Sequence, residues 1–242
     1  MIDLHCHMLP GIDDGPATLE ESLAMARAAV ADGVTTAVLT PHVHLDRYSN
    51  TRSSIESAVS SFQQELNQHG IPLRVKAGGE VRFSIDVLDL LQNNNLPFIG
   101  ELQSKQGPQK VLLLEFPHQS IPVGSFELIK KLLNLRIKPL VAHPERNKAI
   151  IADFNLARRL HSAGCLLQVT AGSLLGIFGE QPQRIAEQLL NESLMHVVAT
   201  DAHNTSTRAT CMHAVKTYLH NAVDAHRAHS YTPGFAESWL QA

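Results

Sequence analysis

The chain has 242 residues, 44% of them hydrophobic, with a formal net charge of −3. That length and apolar content suit one globular domain, 1–242, with a sizeable core, and the near-neutral balance provides no broad basic surface for nucleic acid. No stretch approaches the roughly 18 consecutive apolar residues of a membrane-spanning helix, and the three cysteines, Cys6, Cys165 and Cys211, are too few and too widely spaced to form a disulfide framework, which fits a reducing cytoplasm.

In chain order, short apolar β-rich runs are predicted at 2–4, 35–39, 74–77, 111–114, 139–142, 166–169 and 196–199. Amphipathic helices at 19–31, 53–69, 85–92, 126–135, 154–163, 182–190 and 208–225 alternate with them. Leu128, Ile129, Leu132 and Leu133 form one such apolar stripe. Strand–helix alternation requires parallel strands joined by crossovers, and runs that are apolar on both faces suit a covered parallel sheet. The expected fold is a barrel related to the (β/α)₈ type. A doubly wound open sheet is the alternative, weakened by the absence of a GxGxxG turn after the first strand and of a GxxxxGK[ST] loop. His5 and His7, candidate ligands so near the start, leave no room for a cleavable leader.

Chemistry gathers where the strands end. His5, His7 and the pair Asp13-Asp14 follow the first run, His42 and His44 the second, and Glu80 the third. Glu115 ends the fourth, His143-Pro144-Glu145-Arg146 the fifth, and Asp201-Ala202-His203 the last. Functional groups of parallel barrels collect at the carboxyl ends of their strands. His5 and His7, two apart on a strand, share one face and put Cys6 on the other. Asp201 and His203 repeat that geometry, and closing a barrel would bring the two pairs together. Imidazole with carboxylate suits zinc, manganese or iron. Taken singly, each has a plainer reading: a surface His-x-His, solvated Glu80 and Glu115, a core His143, or an Arg146 paired with Glu145 at a surface helix start. The remaining histidines, His69, His118, His161, His196, His213, His220, His226 and His229, read as helix faces and loops.

The blocks Met1-Ile-Asp-Leu-His-Cys-His, Asp13-Asp14-Gly15-Pro16, Gly79-Glu80, Leu114-Glu115-Phe116, Ala142-His143-Pro144-Glu145-Arg146 and Thr200-Asp201-Ala202-His203-Asn204 resemble the PHP (polymerase and histidinol phosphatase) superfamily. Within it they look like the CpsB-type protein-tyrosine phosphatases of bacterial capsular polysaccharide synthesis. The resemblance covers nearly the whole chain. It implies a distorted (β/α)7 TIM-like barrel holding three divalent metal ions, with manganese expected and iron or zinc as substitutes. His5, His7, Glu80 and Asp201 would hold one ion. Glu80 would bridge to a second, held also by Glu115 and His143. Asp14, His42 and His203 would hold the third. Arg146 and Arg208 would bind phosphate, and Asp201 or His203 would assist the leaving group. The segment 42–47 lacks the basic pair that often follows the third-metal histidine, with Arg47 as a candidate replacement, and the stretch after Asn204 also departs from the pattern. The implied partner is the phosphotyrosine tail of a membrane tyrosine autokinase of capsule or exopolysaccharide synthesis, met in the cytoplasm without membrane insertion.

A thiolate mechanism is excluded by spacing. It needs Arg six residues after the cysteine, where Ile12, Ala171 and Thr217 stand instead. Three other readings remain: a small-molecule phosphatase of the histidinol-phosphate kind, a metal-dependent amidohydrolase, and a non-catalytic metal-binding module that regulates a partner. The full ligand set and Arg146 favour phosphate hydrolysis.

Overall fold

The structure, a computed structural model, describes residues 1–44, 46–104 and 107–231. Leu45 within the 42–47 segment, Lys105 and Gln106 within the 104–109 loop, and the last part of the expected 1–242 domain lie outside these residues.

The chain runs β1 (Ile2–Cys6), α1 (Leu19–Ala31), β2 (Thr36–Leu39), β3 (His42–Val43), α2 (Arg52–Gln68), β4 (Arg74–Ala77), β5 (Glu80–Arg82) and α3 (Asp86–Gln92). It continues through β6 (Gly100–Leu102), β7 (Gln109–Glu115), α4 (Ser125–Asn134), β8 (Ile137–Ala142), a 3₁₀ turn at Pro144–Arg146, α5 (Lys148–Ala152), α6 (Asn155–Ser162) and β9 (Leu166–Thr170). It closes with α7 (Ala171–Leu174), α8 (Glu180–Asn191), β10 (Val197–Ala199), α9 (Met212–Ala222) and α10 (Ala225–His229). Local chemistry sets the helix starts. Thr18 caps α1 by accepting from the Glu21 N–H while the Glu21 carboxylate accepts from the Thr18 N–H, a reciprocal pair that satisfies two otherwise orphaned donors. Thr51 and Ser54 do the same for α2.

One parallel ladder runs β1-β2-β4 and another β10-β9-β8-β7-β5-β3, with β6 antiparallel on β7. The two are halves of one barrel. β2 resumes as β3 after Thr40 and Pro41, and β4 resumes as β5 after Gly78 and Gly79. The first and last strands meet through the Cys6–Ala202 bridge, where His7 N–H donates to Ala202 O and Asp201 N–H to His5 O, both at 2.8 Å. Glycine is required at the β4–β5 break. A Cβ on Gly79 would come 2.4 Å from Pro97 Cγ. The breakers Pro41, Gly78 and Gly79 are also why the sequence predicts the strands to end at Leu39 and Ala77. His42 and Glu80 therefore open strands of their own and stand opposite each other in the ladder.

The barrel interior is layered. Its N-terminal half is apolar, filled by Leu4, Val38, Val111, Leu113, Leu140, Leu166 and Val197. Its C-terminal half is polar, with His5, His7, Glu80, Gln168, Thr170 and Asp201 buried. Helices cover the outside through Leu23, Phe62, Ile129, Leu160, Ile185 and Val215. In β1 the ladder shifts between Asp3 and Cys6. A bulge there rephases the strand, so that Leu4 joins the inner core while Cys6 turns to the outer one and His5 and His7 face the site. Among the described residues no helix is long and apolar enough to cross a membrane.

His196, just before β10, accepts the Leu167 N–H at its Nδ1. Burial, with the neighbouring His161 and Lys138, lowers its pKa from 6.5 to about 4. The unfolded chain then takes up a proton first, so stability is full above pH 6.5 and falls as pH drops toward 4. Urea unfolding of the metal-free protein at stepped pH should show this loss, on the order of 2–3 kcal/mol by pH 4. His196→Asn should flatten that part of the profile, and parallel profiles for the two proteins would contradict the assignment.

Candidate metal centre

His5 and His7 are almost fully buried, and their outer ring nitrogens are committed. His7 Nδ1 lies 2.7 Å from Asp13 Oδ2, and His5 Nδ1 lies 2.8 Å from Gln168 Oε1. A carboxylate can only accept, so neutral His7 carries its hydrogen on Nδ1 and a bare lone pair on Nε2; the Gln168 oxygen assigns neutral His5 the same tautomer. The two Nε2 atoms then face each other at 3.1 Å. Two lone pairs that close repel unless a cation lies among them. His203 follows the same plan. Its Nδ1 donates to its neighbour Asp201's backbone oxygen at 2.9 Å, and its Nε2 is buried without a hydrogen-bond partner.

Carboxylates complete the cage. Glu80 Oε2 and Asp201 Oδ1 are buried without hydrogen-bond partners and lie 3.3–3.5 Å from the Nε2 atoms of His5 and His7. Asp14 Oδ1 is 3.3 Å from both His42 Nε2 and His203 Nε2. His42 Nδ1 is 3.1 Å from Glu80 Oε2, with Glu115 Oε2 at 3.9 Å. In each of three sets the donor atoms lie within 4.8 Å of one another: His5, His7, Glu80 and Asp201; His7, Asp14, His42 and His203; and His42, Glu80 and Glu115. These distances suit divalent cations, because every donor is an imidazole nitrogen or a carboxylate oxygen and several have no other partner.

All nine expected residues line one site, but the grouping differs in two ways, the first being that His7 also joins Asp14, His42 and His203. His143 touches Glu80 Oε1 at 2.9 Å, whereas His42 joins Glu80 and Glu115 in the compact third set. Glu115 is also held by Arg82 Nη1 at 3.0 Å. His143 and Asp201 adopt left-handed backbone angles, φ 34° and 53°, which non-glycine residues rarely hold and which turn both side chains into the barrel mouth.

The electrostatics also call for positive charge. Burial would lower the His7 pKa, but Asp13 and Glu80 raise it to about 10. Burial would raise Glu80, yet His5 and His42 hold it well below the ordinary carboxylate range. The close imidazoles of His203 and His42 hold Asp14 far below its usual value.

The two expected phosphate arginines stand at the pocket mouth. Arg146 Nη1 and Arg208 Nη2 both donate to Asp201 Oδ2, at 2.5 and 2.7 Å. The Arg146 guanidinium lies 4.7 Å over the Phe178 ring. Glu145 is not its partner. It is fully buried and accepts from Thr170 N–H and Ser173 Oγ, anchoring the turn that carries Arg146. The mouth is also lined by His44, Arg47, Tyr48, Arg82 and His118. Tyr48 stacks on His42 with ring centroids 5.6 Å apart. His118, expected on an ordinary loop, is part of this pocket.

Sequence reasoning left Asp13 and Gln168 without roles, although both hold histidines of the donor cluster. A glutamine inside the otherwise apolar run Leu166-Leu167-Gln168-Val169 was the available signal. The cysteines take no part. Burial drives the Cys6 thiol well above its ordinary pKa, and pushes Cys165 and Cys211 up to about 12.

Asp13→Asn should keep the fold but weaken the orientation of His7. Metal affinity is expected to fall about 10–100-fold, as measured by competitive chelator titration. Unchanged affinity would remove Asp13 from the support of this centre.

Comparison with known proteins places the chain among characterised relatives. The family model for capsular polysaccharide synthesis, CpsB/CapC, matches residues 1–238. The tyrosine-protein phosphatase YwqE of Bacillus subtilis is 37% identical over 208 residues, covering 86% of this chain and 79% of that protein. The tyrosine-protein phosphatase CpsB of Streptococcus agalactiae is 30% identical over 213 residues, covering 86% and 85%. A crystal structure from a study of YwqE of Bacillus subtilis and CpsB of Streptococcus pneumoniae, described as unique metal-dependent tyrosine phosphatases, superposes with a TM-score of 0.86 at 34% identity, covering 95% of this chain and 90% of that one. The organophosphorus hydrolase of Deinococcus radiodurans, at 14% identity and a TM-score of 0.53 over 98% of this chain and 92% of that one, shares the barrel fold alone. With a family model spanning almost its whole length, the chain belongs to the CpsB/CapC family of capsular polysaccharide synthesis.

Proposed function

We propose that the protein is a metal-dependent protein-tyrosine phosphatase that removes phosphate from a tyrosine autokinase of capsule or exopolysaccharide synthesis. The observation that carries the reading is the juxtaposition of three interlocking donor sets with two arginines at one barrel mouth. Membership of a family with tyrosine phosphatases among its relatives supports the substrate class. The autokinase partner rests on the family's link to capsule synthesis, and a cytoplasmic location on the three unpaired cysteines.

Three divalent ions, most simply manganese, fit the site. His5, His7, Glu80 and Asp201 would hold one. Glu80 and Glu115 would hold a second, with His143 and His42 both in reach. Asp14, His42 and His203 would hold the third. When bound, such ions acidify water at neutral pH and neutralise phosphoryl charge.

The chain's own groups do the rest. Arg146 and Arg208 present guanidinium N–H groups into the cleft and now share one Asp201 oxygen. A phosphoryl group entering there offers them stronger, charge-assisted acceptors, and the planar forks would orient it. Burial would raise the Asp201 carboxyl, but His5 and Arg208 hold it well below the usual range, so Asp201 stays an anion that aims the arginines. Burial, with His7 nearby, lowers His203, and its one hydrogen is held by the Asp201 carbonyl. Neither offers a proton to the leaving group. A phenolate, with a pKa of about 10, needs little help to depart, which favours aryl phosphates over alkyl ones. Tyr48 at the mouth supplies an aromatic wall for the substrate ring.

Chelation should abolish aryl-phosphate hydrolysis, and manganese added back alone should restore it more fully than magnesium; full activity in chelator would refute the reading. Arg146→Ala should lower turnover of a phosphotyrosine peptide by about 10²–10³-fold with metal content unchanged. Wild-type turnover in that variant would remove Arg146 from the mechanism. A preference for histidinol phosphate over phosphotyrosine peptides would transfer the protein to the small-molecule reading.

A further inference from the structure

A second groove, of about 690 Å³, opens beside the metal pocket and shares two of its walls, His118 and Arg146. Lys148 and Arg184 add two more cationic side chains, and Phe178 and Pro182 an apolar wall. No aspartate or glutamate is among the residues that line it. In a chain of net charge −3 this is a local concentration of positive charge. Both added cations are exposed, and neither is in an ion pair among the described residues.

The walls are fixed in place. Lys148 N–H donates to His118 O at 2.9 Å, and the Asn147 amide donates to Pro117 O and Ser120 O, tying the loop after β7 to α5. Phe178 is seated between the Arg146 guanidinium and Gly172, where even a Cβ would come 2.9 Å from the ring. The groove therefore stands ready-made and continuous with the metal centre through Arg146.

Its chemistry is amphiphilic, with an aromatic and proline wall beside paired cations. A carboxylate side chain would use the cations and leave the aromatic wall bare. An aryl phosphate would use both, because its ring covers Phe178 and Pro182 while its dianion meets Lys148 and Arg184. Resting on the phosphotyrosine reading above, we propose that this groove is a second phosphoryl subsite, which holds a further phosphotyrosine of the same peptide while the first occupies the metal centre. An extended peptide advances about 3.3 Å per residue and returns side chains to one face every second residue, so spacings of two and four residues span roughly 7 and 13 Å.

The test uses the full-length, metal-loaded protein. Peptides carry one phosphotyrosine and, two or four residues away, phenylalanine, glutamate or the non-hydrolysable phosphonomethyl-phenylalanine. At one of these spacings the phosphonate peptide should have a KM about fivefold or more below that of the phenylalanine peptide, with kcat nearly unchanged, as expected for one added charge-assisted contact. The double variant Lys148→Ala, Arg184→Ala should lose this gain while turning over the phenylalanine peptide as the wild type does, which also shows that it is folded. The proposal is overturned if the phosphonate gives no gain at either spacing, if glutamate gives an equal gain, or if the gain survives in the double variant. Fluorescence anisotropy with a peptide carrying phosphonates at both positions gives a readout independent of turnover. A wild type that hydrolyses no phosphotyrosine peptide, yet binds this probe more tightly than the double variant does, would sink the activity and leave the subsite standing; equal binding by both proteins would sink the subsite.

Discussion

The structure is organised around a repulsion that the polypeptide cannot relieve by itself. Bare imidazole nitrogens of His5 and His7 face each other, and buried oxygens of Glu80 and Asp201 point at them without hydrogen-bond partners. Such an arrangement is costly in an empty, neutral site and favourable around cations. The supporting residues preserve it. Asp13, Gln168 and the Asp201 carbonyl fix tautomers, and Asp3 accepts from Thr200 N–H and Oγ to hold the last strand against the first.

The barrel makes this possible by dividing its interior. Leucine and valine layers close the N-terminal half and supply the burial that stabilises the domain, leaving the C-terminal half free to be polar. Broken strands carry ligands inward. The interruptions before β3 and β5 place His42 and Glu80 opposite each other, and the left-handed turns at His143 and Asp201 aim two more groups at the same centre. Strain at these positions is tolerable because surrounding strands over-determine the backbone.

The arginines link the metal centre to what lies outside it. Arg146 touches Asp201 on one side and Phe178 on the other, so a single side chain borders both the pocket over the donor cluster and the basic groove beside it. The turn that carries it is anchored by the buried Glu145 carboxylate. The pocket over the donor cluster and the basic groove therefore share one anchored element.

Much of this was legible in the amino-acid sequence. The β/α alternation, the strand-end placement of His5, His7, Glu115, His143 and Asp201, and the facing of Cys6 away from the two histidines follow from periodicity alone, because the two-residue repeat of a strand and the apolar stripe of a helix are local properties. Other features were not legible. Pro41 and the Gly78-Gly79 pair look like strand ends, and only strand pairing shows that each strand continues beyond them. Asp13, Gln168 and His118 look unremarkable in the chain, since their roles depend on partners far away or on a shared cavity wall. Sequence determined which donor types exist and that they sit at strand ends; tertiary structure decided which donors stand together, which nitrogen each imidazole presents, and what borders the pocket, because those depend on barrel closure and on distances between residues up to nearly two hundred positions apart.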